Sequence, residues 1–146
     1  MSPNNPATAA VTEVATAELM TPGMHGSTFG GNPVCAAAAC AVLEVLDDSD
    51  LCSHADAMGK ILANGIESLG HPLVDYVRGR GLLRGMVLTA PHAKAVEIAA
   101  RDAGFLVNAA APDVVRLAPP LIITEAQIAS FLAALPAILD TAGAHT

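Results

Sequence analysis

The segment from His25 to Pro33 combines residue types that can hold a phosphate group. Ser27 and Thr28 supply two adjacent hydroxyl groups, and the glycines around them leave no Cβ to keep backbone N–H groups away from an anion. An alanine-rich run follows directly and is expected to form a helix. A glycine-rich turn that merely caps this helix is the alternative interpretation, and taken in isolation the loop favours that alternative.

Arg116 is the second candidate, because it is charged within the otherwise apolar run 114–120. An arginine in such a strand either reaches an edge or enters a cavity. Its forked guanidinium favours a bidentate carboxylate or phosphate partner, at about 1.5–3 kcal/mol per charged hydrogen bond. An internal salt bridge with one of the fourteen acidic residues is an equally good alternative.

Glycines at 79, 81 and 85 have a spacing that suggests a dinucleotide-binding loop. A pyrophosphate site of that type needs a helix N-terminus after the glycines, whereas Met86–Thr89 is strand-like. The glycines therefore predict a hairpin turn.

The histidines and cysteines predict no further site. The five histidines have no metal-ligand spacing and are expected at the surface or in turns. Cys35, Cys40 and Cys52 form no C-x-x-C pair, which predicts buried thiols in a reducing cytosol. No metal site and no serine or cysteine nucleophile signature is expected.

The hydrophobic pattern predicts the order helix, helix, hairpin, helix, strand pair, helix. Asn32 and Pro33 begin the first helix, which should run to about Leu46 and be buried on most sides because it lacks polar residues. The last helix should begin at a capping box formed by Thr124 and Gln127. The remaining elements are predicted at 53–70, 73–78, 82–89, 91–103, 105–108 and 114–118. The fold class is α/β (an α+β small domain), with a small, mainly antiparallel sheet covered by helices.

Composition excludes several partners. The net charge of −7 argues against nucleic acid and against an anionic membrane surface. No apolar run of about 20 residues and no basic leader with an apolar core is present, so we expect a cytoplasmic protein without a transmembrane helix.

Three segments of the sequence resemble motifs of one known enzyme family and occur in the same order as in that family: His25–Pro33, Val77–Leu83 and Val115–Leu121. From about Ala17 to Ala142 the chain resembles the C-terminal part of the acetylornithine aminotransferases, which belong to the class III, fold-type I pyridoxal-phosphate aminotransferases. The resemblance implies a tail and cofactor-phosphate loop at 1–33 and a C-terminal small domain at 34–146. It also implies a homodimer or a large-domain partner.

The resemblance assigns roles to three residues. Thr28 would bind the phosphate of pyridoxal 5'-phosphate held by the neighbouring subunit, Ser27 would lie at the substrate end of that site, and Arg116 would clamp the substrate α-carboxylate. The implied reaction transfers the terminal amino group of N2-acetylornithine to 2-oxoglutarate in arginine biosynthesis.

The catalytic Schiff-base lysine of the family precedes the His25 motif, and no lysine occurs before His25 here. Lys60 and Lys94 are predicted on solvated helix faces. The chain by itself is therefore predicted to bind the cofactor weakly or not at all and to be inactive. The alternatives are a non-catalytic module that binds a small anion and a structural domain that pairs through its first helix, whose face around Val34–Leu46 is expected to be uncovered and to promote self-association.

Overall fold

The computed structural model describes residues 32–144. Eight elements follow one another in this range in the predicted order: α1 (Pro33–Asp48), α2 (Leu51–Ser68), β1 (Val74–Arg80), β2 (Leu83–Leu88), α3 (Ala93–Asp102), β3 (Asn108–Ala111), β4 (Val114–Leu117) and α4 (Glu125–Gly143). In the described range they fall into two units that divide between Ser49 and Asp50, and the first unit contains α1. The domain boundary predicted between residues 33 and 34 stays a prediction.

Helix α1 begins as its sequence predicts. The Asn32 side chain accepts hydrogen bonds from the backbone N–H groups of Val34 and Cys35, at 2.9 and 3.4 Å, and Pro33 occupies the first turn. The prediction that this helix is buried is wrong, since none of its residues is buried and Val34 is 76% exposed. Capping and alanine propensity are sufficient to form the helix, and neither specifies what covers it.

The second unit contains a four-stranded sheet with the strand order β1-β2-β4-β3. Every pair of neighbours is antiparallel, which confirms the predicted sheet type. The β1–β2 hairpin turns at Gly81, and Gly79 precedes the turn within β1; their φ angles of 52° and 116° lie in the region that favours glycine. Arg84 closes the turn by donating hydrogen bonds of 2.8 Å to both of their carbonyl oxygens.

One face of the sheet packs against α2, α3 and α4. Met86 on β2 and Val115 on β4 are directly opposite each other and fully buried on this face. The helices contribute buried apolar side chains from all three of their inner faces, among them Leu62, Ile66, Val96, Ala100, Ile128, Leu135 and Leu139. Because side chains alternate along a strand, the residues that flank Met86 and Val115 point to the opposite face.

Strand β3 differs from its predicted position. The apolar run 105–107 is not a strand, and β3 starts only at Asn108. The Phe105 N–H donates to the Ala100 carbonyl at the end of α3, and its ring meets Phe131 edge-on at a centroid distance of 5.4 Å. Residues 105–107 therefore form a loop that packs against α4 through Phe105.

The cysteine prediction is also wrong. Cys35, Cys40 and Cys52 are all exposed and unpaired with one another in the described residues. The apolar character of a thiol indicates an average tendency toward burial, whereas the helix face that each residue occupies decides its exposure.

Helix α4 has the predicted capping box. The Thr124 side chain accepts from the Gln127 N–H, and the Gln127 side chain accepts from the Thr124 N–H. The helix continues past Pro136 to Gly143. By length and composition α4 could cross a membrane, but core helices pass the same test, and its inner face lies in the core described above.

Candidate functional site

Arg116 lies on β4 with its side chain exposed. Its neighbours along the strand, Val115 and Leu117, are buried in the core between the sheet and the helices. Alternation therefore directs Arg116 to the sheet face opposite the helices. The apolar pattern around Arg116 thus reflects the core side of β4, and the guanidinium occupies the other side.

No salt bridge involves Arg116 within residues 32–144. The ion pairs found there are His71–Asp140, at 3.2 Å, and Lys94–Glu97, at 3.0 Å. The internal salt bridge that was the alternative interpretation of Arg116 is therefore not formed in the described part of the chain. This leaves five N–H donors of a permanently charged group available to an anion.

A row of four residues crosses the sheet at the level of Arg116. Gly85 on β2 is directly opposite both Arg78 on β1 and Arg116 on β4, and Asn108 on β3 is opposite Arg116 on its other side. We call Arg78, Gly85, Arg116 and Asn108 the arginine row. Directly opposite residues project to the same face, so the row places two guanidinium groups and one amide on the face away from the helices.

Gly85 provides the space at the centre of the arginine row. A Cβ built on Gly85 would lie 3.5 Å from Cγ and 3.6 Å from Nε of Arg78, and 3.4 Å from Val114. The Arg78 side chain therefore passes beside the Gly85 position. Any larger side chain at residue 85 would enter the volume between the two arginines.

Two hydrogen bonds join the helices to β3 and to the segment that follows β4. The Glu97 carboxylate on α3 accepts from the Ala109 N–H, at 3.3 Å, next to Asn108 in β3. The hydrogen bond from Lys94, followed by the one from Ala109, lowers the pKa of Glu97 below its ordinary value. His54 on α2 shares a 2.8 Å hydrogen bond through Nε2 with the Ile123 carbonyl, in the segment that follows β4. Helix α3 thus contacts β3 directly, and α2 contacts the segment between β4 and α4.

An apolar cavity of about 490 Å³ lies elsewhere in the second unit. Phe105, Pro119 and Phe131 are among its lining residues, whereas Arg116 is not. The arginine is thus exposed on the sheet face and does not enter this cavity.

Ser27 and Thr28 lie outside the described residues, so their predicted contacts with the cofactor phosphate and the substrate stay predictions. Arg78 was not among the predicted site residues, although it stands in the Val77–Leu83 string. The signal that identifies it is strand register, which follows from the position of the hairpin turn, because the pairing is unbroken from Arg80 back to Arg78.

The family model for class-III aminotransferases matches residues 3–139 of this chain. The chain belongs to the class-III aminotransferase family. This match confirms the family resemblance carried by the three motifs. The small antiparallel sheet and its helices match part of the fold-type I transaminase structures.

Curated class-III relatives include the acetylornithine aminotransferase of Mycolicibacterium smegmatis, which is 72% identical over 128 residues. That alignment covers 88% of this chain and 33% of the relative, so the chain spans about a third of the length of the curated relatives it matches. The crystal structure of acetylornithine aminotransferase from Elizabethkingia anophelis superposes with a TM-score of 0.75 at 34% identity, over 84% of this chain and 33% of that one. The structure of ornithine delta-aminotransferase from Plasmodium falciparum superposes with a TM-score of 0.76 at 31% identity, over 88% of this chain and 35% of that one.

The two lysines of this class-III chain lie on helix surfaces. Lys60 on α2 is exposed, and Lys94 on α3 pairs with Glu97. Neither belongs to the arginine row.

Proposed function

We propose that this chain contributes the C-terminal domain and the substrate-carboxylate clamp of an acetylornithine aminotransferase. The reaction would transfer an amino group from N2-acetylornithine to 2-oxoglutarate, as a step of arginine biosynthesis. The observation that carries the proposal is the exposed Arg116, which has no ion pair within residues 32–144, in a class-III chain 72% identical to an acetylornithine aminotransferase.

Arg116 would act by binding and orientation. A guanidinium held by a rigid strand can accept the α-carboxylate of an amino or keto acid in a bidentate geometry, and the rigid β2–β4 pairing limits its movement. Pyridoxal 5'-phosphate, when bound, supplies the electron sink for the reaction. In this proposal Thr28 binds the phosphate of the neighbouring subunit's cofactor, and Ser27 lies at the substrate end of the same site.

The catalytically active form would be a homodimer, or this chain joined to a large domain, in the cytoplasm. The exposed apolar residues of α1 favour such a partner, because Val34, Val42, Leu43 and Val45 are each more than half exposed. Self-association of the purified chain is the corresponding expectation.

The 146-residue chain by itself is proposed to be unable to transaminate. Purified chain mixed with pyridoxal 5'-phosphate is expected to show no Schiff-base absorption band that borohydride fixes to a lysine. Lys60 and Lys94 are exposed side chains without the desolvated surroundings that favour a nucleophilic amine. A fixed adduct mapped to either lysine would contradict this part of the proposal.

A chimera tests whether this chain supports amino transfer when it is joined to a large domain. The preceding two thirds of the M. smegmatis relative would be joined to this chain at the start of their alignment. We expect the chimera to convert N2-acetylornithine and 2-oxoglutarate, and the separate chain to show no turnover. A well-folded chimera that binds the cofactor yet transfers no amino group from N2-acetylornithine would refute the proposed activity.

A non-catalytic module that binds a small anion or mediates dimerisation is the alternative. The unpaired guanidinium of Arg116 is compatible with that function as well. An inactive chimera together with carboxylate binding by the separate chain, lost in Arg116→Ala, would favour the anion-binding module.

A further inference from the structure

We propose that Glu97 blocks the β3 edge of the sheet against pairing with a strand of a second copy of this chain, and that Glu67 does the same at the β1 edge. Neither Arg116 nor the predicted cofactor loop takes part in these contacts. Failure of the proposed function would therefore leave this role of the two glutamates untouched, and the reverse also holds.

Strands β1 and β3 are the two outer strands of the sheet within residues 32–144. In antiparallel pairing, alternate residues direct their N–H and C=O groups away from the neighbouring strand. On an outer strand these groups can pair with a strand of another chain, which is the usual route to edge-to-edge association. The groups that bind them therefore decide whether the sheet can be extended.

One outward N–H group at each edge is bonded to a glutamate of a covering helix. Glu97 on α3 accepts from the Ala109 N–H on β3 at 3.3 Å. Glu67 on α2 accepts from the Val77 N–H on β1, also at 3.3 Å. Val77 and Ala109 are the two ends of one row of directly opposite residues that crosses all four strands. This row is thus terminated by a carboxylate at both ends.

The two edges differ in their own charge. Strand β3 consists of Asn108 and three alanines, so it has no charged side chain. Strand β1 has three charged side chains, Asp75, Arg78 and Arg80. Charged residues on an outer strand oppose pairing with another copy, and an uncharged strand lacks this protection. The β3 edge should therefore depend on Glu97 more strongly than the β1 edge depends on Glu67.

Glu97 is also the more firmly held of the two carboxylates. Its side chain is only 22% exposed and pairs with Lys94 at 3.0 Å, whereas Glu67 is an exposed residue. The hydrogen bonds from Lys94 and from the Ala109 N–H lower the pKa of Glu97, so the carboxylate is ionised at neutral pH. A strand that approached β3 would have to displace this ionised group from both of its donors.

Hydrogen exchange of the 146-residue chain at low and high protein concentration tests the role of Glu97. In Glu97→Ala the Ala109 N–H loses its acceptor, so in dilute solution this amide should exchange about 2- to 10-fold faster than in the parent. At high concentration the same amide should become protected, because the open edge pairs with a second copy. In the parent its exchange should not depend on concentration, even where copies associate through α1.

Exchange at Ala109 of Glu97→Ala that is equal in dilute and concentrated samples would overturn the proposal. Alanine has the highest helix propensity, so this variant should retain α3, and circular dichroism checks that it does. Glu97→Gln is the conservative variant. Its side-chain carbonyl can still accept from the Ala109 N–H, so its exchange should remain near that of the parent.

A second substitution in β3 separates edge pairing from a general loss of stability. Ala110 is an exposed residue of β3, and a lysine there opposes pairing without restoring the lost hydrogen bond. The double variant Glu97→Ala with Ala110→Lys should therefore exchange rapidly at Ala109 at every concentration. Protection of this amide in concentrated double variant would contradict pairing through β3.

Glu67→Ala compares the two edges. The Val77 amide should exchange faster in this variant, but with a weaker dependence on concentration than Ala109 shows in Glu97→Ala, because β1 has charges of its own. Equal dependence in the two variants would refute the assigned difference between the edges. Glu44→Ala, which removes an exposed carboxylate from α1, is the matched control and should leave both amides as they are in the parent.

Discussion

The two faces of the sheet carry different side chains although they share the same strands. On the face toward the helices, Met86 and Val115 are directly opposite each other and completely buried. One residue away along each strand, Gly85 and Arg116 are also opposite each other and form the centre of the arginine row. The alternation of a β-strand thus places a core contact and a candidate ligand contact side by side. Stability and binding should therefore respond to different residues.

The largest expected effect is on the core face. Met86→Ala should lower the free energy of unfolding by about 2–5 kcal/mol, because it leaves a cavity among fully buried side chains. Arg78→Ala, at a strand position opposite Gly85, should cost under about 1 kcal/mol, because only the packing of its aliphatic stem is lost. Urea unfolding of the chain measures both, and similar losses for the two variants would remove the distinction between the faces.

An intermediate effect is expected where α2 meets the hairpin that carries Arg78. A Cβ on Gly59 would overlap the Gly81 carbonyl, so Gly59→Ala forces α2 and the hairpin apart. We expect a loss of about 1–3 kcal/mol, the usual cost of overpacking. Ala57→Ser, at an exposed position of the same helix, should change unfolding by less than about 0.5 kcal/mol. Equal free energies of unfolding for Gly59→Ala and the parent would contradict the close approach of Gly59 to the Gly81 carbonyl.

The smallest effect concerns the contact between α3 and β3. Because Lys94 and the Ala109 N–H lower the pKa of Glu97, its ionised form stabilises the fold above the ordinary value of 4.5, and this contribution is lost as the pH falls through the lowered folded-state pKa. The stability difference between the parent and Glu97→Gln should therefore shrink below about pH 4.5. Urea unfolding between pH 3 and pH 7 measures it, with Glu44→Gln on α1 as the control. A difference that stays constant over this range would contradict the assigned contact.

Local signals in the sequence predicted two helix starts and the hairpin well. Asn32 with Pro33, and Thr124 with Gln127, define two helix starts because capping depends on neighbouring residues only. Gly79 and Gly81 likewise identified the hairpin. Such signals act within a few residues, so they hold whatever the tertiary fold.

Predictions were less accurate where the structure depends on contacts between residues far apart in the sequence. The run 105–107 has strand-like composition, but it is a loop in which Phe105 packs against Phe131 on α4. Composition also predicted that α1 and the three cysteines are buried, and neither prediction holds. Arg116 was selected from its apolar surroundings, whereas Arg78 required the register of β1 against β2, which depends on where the hairpin turns.

Kinetics of the chimera with Arg116 changed measure whether this residue holds the substrate carboxylate. Arg116→Gln should lower kcat/KM for 2-oxoglutarate by about 10- to 150-fold, the effect of one charged hydrogen-bonded contact, while the free energy of unfolding changes by less than about 1 kcal/mol. Arg116→Lys should recover only part of the loss, because an ammonium cannot form the bidentate contact. An Arg116→Gln chimera with the parent's kcat/KM would contradict the central claim that Arg116 holds the carboxylate of the substrate.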